Sequence, residues 1–208
     1  FGRKLEIHME DKICGIETIS HMQFYNGIQA VRCWTDVKNV GTEPQGLEYV
    51  SSFALTGIEK EGMLSTDDKM RVWYPHNGWQ REMQWESYTF PQLGLARCQP
   101  EEIQRSSKVI GATNIGNWST KEYLPMGLLE NTETGSNLFW QIEHNGSWHW
   151  EISDQMGNFY IQLSGPTETE SHWWKNLQPG ETFTTVPVCV GSTLGKFDDA
   201  MGELTKYR

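Results

Sequence analysis

Within residues 139–151 the chain places Glu143, His144, His149 and Glu151 among four aromatic rings, with Asp154 just beyond. Carboxylate pairs at a defined separation can cleave a glycosidic bond. The order Asn145-Gly146 predicts a type I′ hairpin, because both central positions of that turn need φ > 0. Pairing outward from the turn sets Glu143 opposite Trp148, Gln141 opposite Trp150 and Phe139 opposite Ile152. Directly opposed residues share a face. Trp148, Trp150, Gln141 and Glu143 are therefore expected on one side, with Glu151 on the other. Two indoles beside an amide and a carboxylate suit a sugar ring, and they equally suit the core of a β-sandwich. His144 and His149 share the second face, where Glu151 could complete a metal site; ordinary histidines on a polar sheet face are the plainer reading, and no metal ligand is assigned.

Ten tryptophans in 208 residues sharpen the same question. Trp118, Trp148 and Trp150 are the sugar-contact candidates. Trp34, Trp85 and Trp140 read as core or inter-domain packing, since a buried indole N–H needs an acceptor. His172-Trp173-Trp174-Lys175 beside a Pro-Gly turn reads as a cap or a contact to a neighbouring domain. Nucleophile elbow, phosphate loop, dinucleotide fingerprint and zinc-protease signature are all missing from the sequence.

The elements that must position these residues are strands. Residues 4–10 alternate, with Leu5, Ile7 and Met9 on one face. Residues 28–37 put Val31, Cys33, Thr35 and Val37 opposite Ala30, Arg32, Trp34 and Asp36. Further strands are expected over 47–57, 70–74, 79–89, 126–131, 138–144, 147–152, 159–163 and 183–190, with a charged connection over 59–69. Residues 90–117 have weak periodicity and read as a long irregular excursion. Only the tail reads as a helix: Leu194, Phe197, Met201, Leu204 and Tyr207 form one stripe, and Asp198-Asp199 favour its first turn. Many strands with frequent turns indicate a mostly β, antiparallel sandwich.

Composition narrows the partners. A net charge of −10 argues against nucleic acid, and no apolar run reaches membrane-spanning length. Cys14, Cys33, Cys98 and Cys189 lie far apart and read as buried thiols. Eight methionines beside ten tryptophans suit an intracellular, cytoplasmic protein. The start, Phe1-Gly2-Arg3-Lys4, reads as a cut end rather than an initiator or a signal peptide.

The second half resembles the N-terminal β-domain of family 36 glycoside hydrolases, the α-galactosidases. The resemblance rests on Gly116-Asn117-Trp118-Ser119-Thr120-Lys121-Glu122-Tyr123-Leu124-Pro125 and on the run Phe139 through Trp148. Gly165-Pro166-Thr167-Glu168 and Leu177-Gln178-Pro179-Gly180-Glu181-Thr182-Phe183 follow in order. Leu204-Thr205-Lys206-Tyr207-Arg208 is similar to the helix end that leads into the family's barrel, and Val37-Lys38-Asn39-Val40-Gly41 to a strand end in the first half. The resemblance implies one galactose-mutarotase-like supersandwich over 1–208, cut from a longer enzyme whose (β/α)₈ barrel follows residue 208. Both catalytic Asp residues of that family lie in the barrel, so no catalytic residue is assigned here and no cofactor is implied. The parent is expected to hydrolyse terminal α-galactosides with retention, and this chain alone is expected to be inactive. Its partners would be α-galactoside oligosaccharides through the parent, the barrel, and further copies of itself. The family's earliest strands are expected to be missing, and exposed strand edges to drive self-association. Two alternatives remain: a stand-alone carbohydrate-binding module using Trp148 and Trp150, and an aldose epimerase holding a His and a Glu across a concave sheet.

Overall fold

The computed structural model describes residues 2–95, 108–155 and 157–208. Strands β1 (Gly2–Asp11), β2 (Ile16–Tyr25), β3 (Ala30–Asn39), β4 (Gln45–Leu47) and β5 (Ser51–Thr56) precede a single turn of helix, α1 (Thr66–Lys69). There follow β6 (Met70–His76), β7 (Gln84–Thr89), β8 (Ile110–Asn114), β9 (Met126–Asn131), β10 (Ser136–Ile142), β11 (Trp148–Gln155) and β12 (Asn158–Ser164). The short α2 (Glu168–Ser171), β13 (Lys175–Leu177), β14 (Thr182–Thr184), β15 (Val188–Leu194) and α3 (Phe197–Tyr207) complete the chain.

Two antiparallel sheets face each other. The larger runs β1-β2-β3-β15-β10-β9-β6-β7, with β14 also on β3, and the smaller runs β5-β12-β11-β8. Alternation along each strand sorts its side chains between two cores. On β10, Trp140 and Ile142 enter the space between the sheets, where they meet Trp150, Ile152 and Leu163 of the smaller sheet. Phe139 points the other way, beneath Ala200 and Leu204 of α3. The middle of the large sheet is therefore buried on both faces. Close packing there requires two glycines: a Cβ on Gly191 would lie 2.1 Å from the Phe139 ring, and one on Gly127 would lie 2.3 Å from the Trp140 ring.

The tail helix forms over Phe197–Tyr207 and packs its stripe on the outer face of the large sheet, except that Leu194, counted in that stripe, ends β15 and is exposed. The Lys196 N–H donates to Asp199 at its first turn, and Phe197 lies between Trp73 and Trp85, with ring centroids 5.0 and 4.9 Å away.

Several expectations need correction. Residues 139–151 do not form a hairpin: β10 pairs with β9 and β15, whereas β11 pairs with β8 and β12. The link over 143–147 carries the chain from one sheet to the other, and neither Asn145 nor Gly146 has positive φ. Burial decides the matter. A hairpin would send Trp140 and Trp150 to opposite faces of one sheet, whereas crossing between sheets lets the two indoles meet in the space between them. The strand expected over 79–89 begins only at Gln84, because Gln80 and Met83 take left-handed φ values of 62° and 56°. The stretches 47–57 and 183–190 each divide into two strands. β2 escaped the periodicity reading, and β8 forms inside the supposed excursion, of which residues 96–107, with Cys98, lie outside the described residues. Among the described residues no helix is long and apolar enough to cross a membrane.

Candidate functional site

The two leading sugar-contact candidates lie in the core. Trp148 and Trp150 do share a face of β11, but that face looks between the sheets, and each indole is only 1% exposed. Trp150 meets Trp140 edge-on at 5.2 Å and Tyr74 at 5.7 Å. Trp148 donates its indole N–H to the Ser119 carbonyl at 2.8 Å. With both ring faces covered, neither can stack on a ligand, so the same-face pair is packing. A central strand hydrogen-bonded on both sides must spend its inward residues filling the inter-sheet gap, which overrides the hairpin logic. Trp118 stays half-exposed on the loop that Trp148 anchors.

The second candidate group lies on the outer face of the smaller sheet. His149 Nε2 is 3.1 Å from Glu151 Oε2, and its Nδ1 lies 2.7 Å from Thr113 Oγ1. Tyr160 donates to the other Glu151 oxygen at 2.8 Å. His144 belongs instead to the sheet-crossing link, so the three ligands imagined for a metal do not converge. Among the described residues no three His, Cys, Asp or Glu side chains are placed to hold one. The direct His149–Glu151 contact also leaves no room for a pyranose between them, which removes the epimerase arrangement from this pair.

The densest polar convergence surrounds Glu143, just past the end of β10. Arg32 on β3 donates through Nε to Glu143 Oε2 at 2.7 Å, and the Tyr207 hydroxyl on α3 donates to Oε1. Arg208 Nε reaches Gln141 Oε1 at 3.0 Å. Burial and the Glu143 carboxylate push the Tyr207 phenol well above its ordinary range. Burial opposes the charge on Arg32, but the bond and charge of Glu143 more than compensate and raise its pKa. Both oxygens of Glu143 are thus engaged by donors, which suits a fixed anionic anchor rather than a nucleophile or a proton shuttle.

Beside this anchor opens a cleft of about 480 Å³ lined by Met83, Thr120, Gln141, Glu143, His144 and Arg208. Asn77 ties its rim together. Its side chain donates to the Thr120 carbonyl and accepts from the Met83 N–H at 3.0 Å, and its backbone N–H donates to Glu122 at 2.8 Å. Trp79 and Met83 on one rim loop and Trp118 on the other are exposed. Sequence reasoning set Arg32 on a strand face with Ala30, Trp34 and Asp36 but did not join it to Glu143, 111 residues away. Tyr207 was assigned only to an apolar stripe. No local signal marks such long-range partners.

The two sheets, the helix on the outer face and the cleft at its end allow comparison with known proteins. The chain matches the family 36 α-galactosidase AgaA of Geobacillus stearothermophilus over 92% of its length, with a TM-score of 0.75 and 18% identity. It has the fold of part of a family 36 α-galactosidase. An α-galactosidase from Lactobacillus brevis is similar over 99% of the chain, with a TM-score of 0.80 and 15% identity. The galactosidase domain of the α-galactosidase–sucrose kinase AgaSK is similar over 93%, with 0.75 and 19%. This chain spans only 24, 25 and 24% of those three polypeptides. No family model and no curated protein matches it. The α-galactosidase resemblance and the antiparallel β architecture expected from the sequence are both borne out.

Proposed function

We propose that this chain is the non-catalytic N-terminal β-sandwich domain of an α-galactosidase-like hydrolase, whose parent cleaves terminal α-galactosides with retention. The observation that carries the reading is the match of 92–99% of this chain to about a quarter of each α-galactosidase. The state of the acids supports it: Glu143 is held by Arg32 and Tyr207, Glu151 by His149 and Tyr160, and Asp154 is completely buried. Glu143 lies on the link beyond β10 and Glu151 on the outer face of β11, each engaged by its own donors.

The domain's role in this reading is mechanical. The cleft end, with exposed Trp79, Met83 and Trp118 and the end of α3, is the surface that buttresses the barrel and helps shape its entrance. Aromatic surface of this kind is common where domains meet. The unpaired thiols Cys14, Cys33 and Cys189 accord with a cytoplasmic setting.

The test is an assay of the 208-residue chain on a chromogenic α-galactoside. Turnover at the level of a protein-free blank is expected, and sustained hydrolysis above it would overturn the proposal. Titration with raffinose, followed by intrinsic fluorescence, should show no saturable change. A saturable response would restore the binding-module reading, with Trp118 as the exposed indole able to carry it.

A further inference from the structure

A second, smaller cleft of about 230 Å³ opens at the link over 143–147, lined mainly by Val50, His144, Pro166, Trp173, Phe183 and Val186. Its walls are fixed in the free chain. His172 ends α2 with a left-handed φ of 54°, and the Trp173 N–H donates back to the Thr167 carbonyl at 3.1 Å. Phe183 stands on β14 opposite Val37 and packs on Trp173, with ring centroids 5.1 Å apart. The Ser52 hydroxyl donates to the Val186 carbonyl at 2.5 Å. Gly165 gives the Val186 side chain room, since a Cβ there would lie 2.6 Å from it. A cleft already shaped in this way costs a ligand little ordering.

His144 is the group these walls leave over. Its ring lies on Gly146, where a Cβ would come within 2.5 Å of Nε2. Gly146 is therefore required by the imidazole rather than by a turn with positive φ. Among the described residues the ring has no hydrogen-bond or ion-pair partner. Burial alone lowers its pKa, which leaves it neutral at pH 7. The other polar side chains of the cleft are engaged: the Thr184 hydroxyl donates to Asp36 at 2.6 Å, and the Thr185 hydroxyl accepts from the Thr35 N–H at 2.9 Å. A pinned imidazole without a protein partner, in a cleft walled by aromatic and aliphatic side chains, is the pattern of a small-molecule site. The same imidazole lines the 480 Å³ cleft, so a molecule bonded to it touches a group that both clefts share.

Size, charge and hydrogen bonding define the ligand. An apolar cavity of about 150 Å³ takes up benzene. The 230 Å³ here suits one aromatic ring rather than the three rings of raffinose. Among the described residues no carboxylate, lysine or arginine lines the cleft to pair with a charge. A neutral imidazole has one donor and one acceptor, and a hydroxyl group can bond to either.

We infer that this cleft binds a small uncharged aromatic alcohol, a phenol or benzyl alcohol by class, with its ring against Trp173 and Phe183 and its hydroxyl bonded to His144. The site stands whether or not the parent acts on α-galactosides.

Phenol titrated into the 208-residue chain and followed by NMR tests this. The Trp173 indole and His144 ring signals should shift together and saturate at millimolar phenol. No saturation in that range, or shifts confined to other residues, would overturn the inference. Val50→Phe fills the cleft and should abolish the response with an unchanged far-UV circular dichroism spectrum; a response retained in that variant would also overturn it. The imidazole has its own readout. His144→Phe should weaken phenol about 2- to 12-fold, the worth of one hydrogen bond, and leave toluene binding unchanged. His144→Gln, which keeps a donor and an acceptor, should hold most of the phenol affinity. Equal weakening of phenol and toluene in His144→Phe would refute the bond to the hydroxyl.

Discussion

Replacing Trp148 and Trp150 by Phe separately probes the reassignment of these indoles from sugar contact to core. Each substitution removes a similar volume from a site that is 99% buried, and loss of packing should cost about 1–3 kcal/mol. The polar terms differ in sign. Trp148 donates to the Ser119 carbonyl at 2.8 Å, so Phe there forfeits a bond worth about 0.5–1.5 kcal/mol and strands its acceptor. The Trp150 N–H has no acceptor among the described residues. Phe at that position removes a buried unpaired donor, whose burial costs about 1–3 kcal/mol. Trp150→Phe should therefore be the milder change by about 1.5–4.5 kcal/mol. In a domain of this size that corresponds to a difference in melting temperature of about 3–18 °C. Urea unfolding followed by far-UV circular dichroism measures both variants without relying on indole emission. Equal losses, or a larger loss for Trp150→Phe, would refute the hydrogen-bond argument. A loss of sugar affinity in either variant would refute the core assignment itself.

Gly127→Ala should cost about 1–3 kcal/mol or more, because its new methyl would lie 2.3 Å from a Trp140 ring with no room to move; introducing it into a Trp140→Phe background should recover part of the loss in the same unfolding assay. Leu204→Ala should cost about 2–5 kcal/mol, since α3 seats that side chain on the sheet. Slow amide exchange across the middle of α3 should accompany it in the unsubstituted chain, and fast exchange there would mean that the helix needs another partner. Burial depresses the pKa of His144 below its ordinary 6.5. The folded chain thus binds fewer protons than the unfolded one, so stability from this group is present above about pH 6.5 and falls as pH drops through the depressed value. Unfolding midpoints measured across that window should show a component that disappears in His144→Gln.

Much of the architecture was legible because strand and helix signals are local. Alternation of Val31, Cys33, Thr35 and Val37 reports which residues share a face, and the stripe from Phe197 to Tyr207 reports a helix with one apolar side. The Glu143 cluster was not legible, because Arg32, Glu143 and Tyr207 lie far apart in the sequence and meet only when β3, the link after β10 and α3 pack together. The same limit explains Trp148 and Trp150. Their spacing correctly put them on one face, but spacing does not say whether that face meets water or another sheet.

The amino-acid order by itself settled the strand-rich composition and the amphipathic tail helix, since each follows from the side-chain period along a single element. Only the packed chain decided which sheet each strand joins. At residues 143–147, two strands adjacent in sequence part company, and Trp140 and Trp150, which a hairpin would send to opposite faces of one sheet, are both buried between two sheets. That burial sums contacts from residues throughout the chain, and no turn motif, even Asn-Gly, contributes enough local energy to outweigh it.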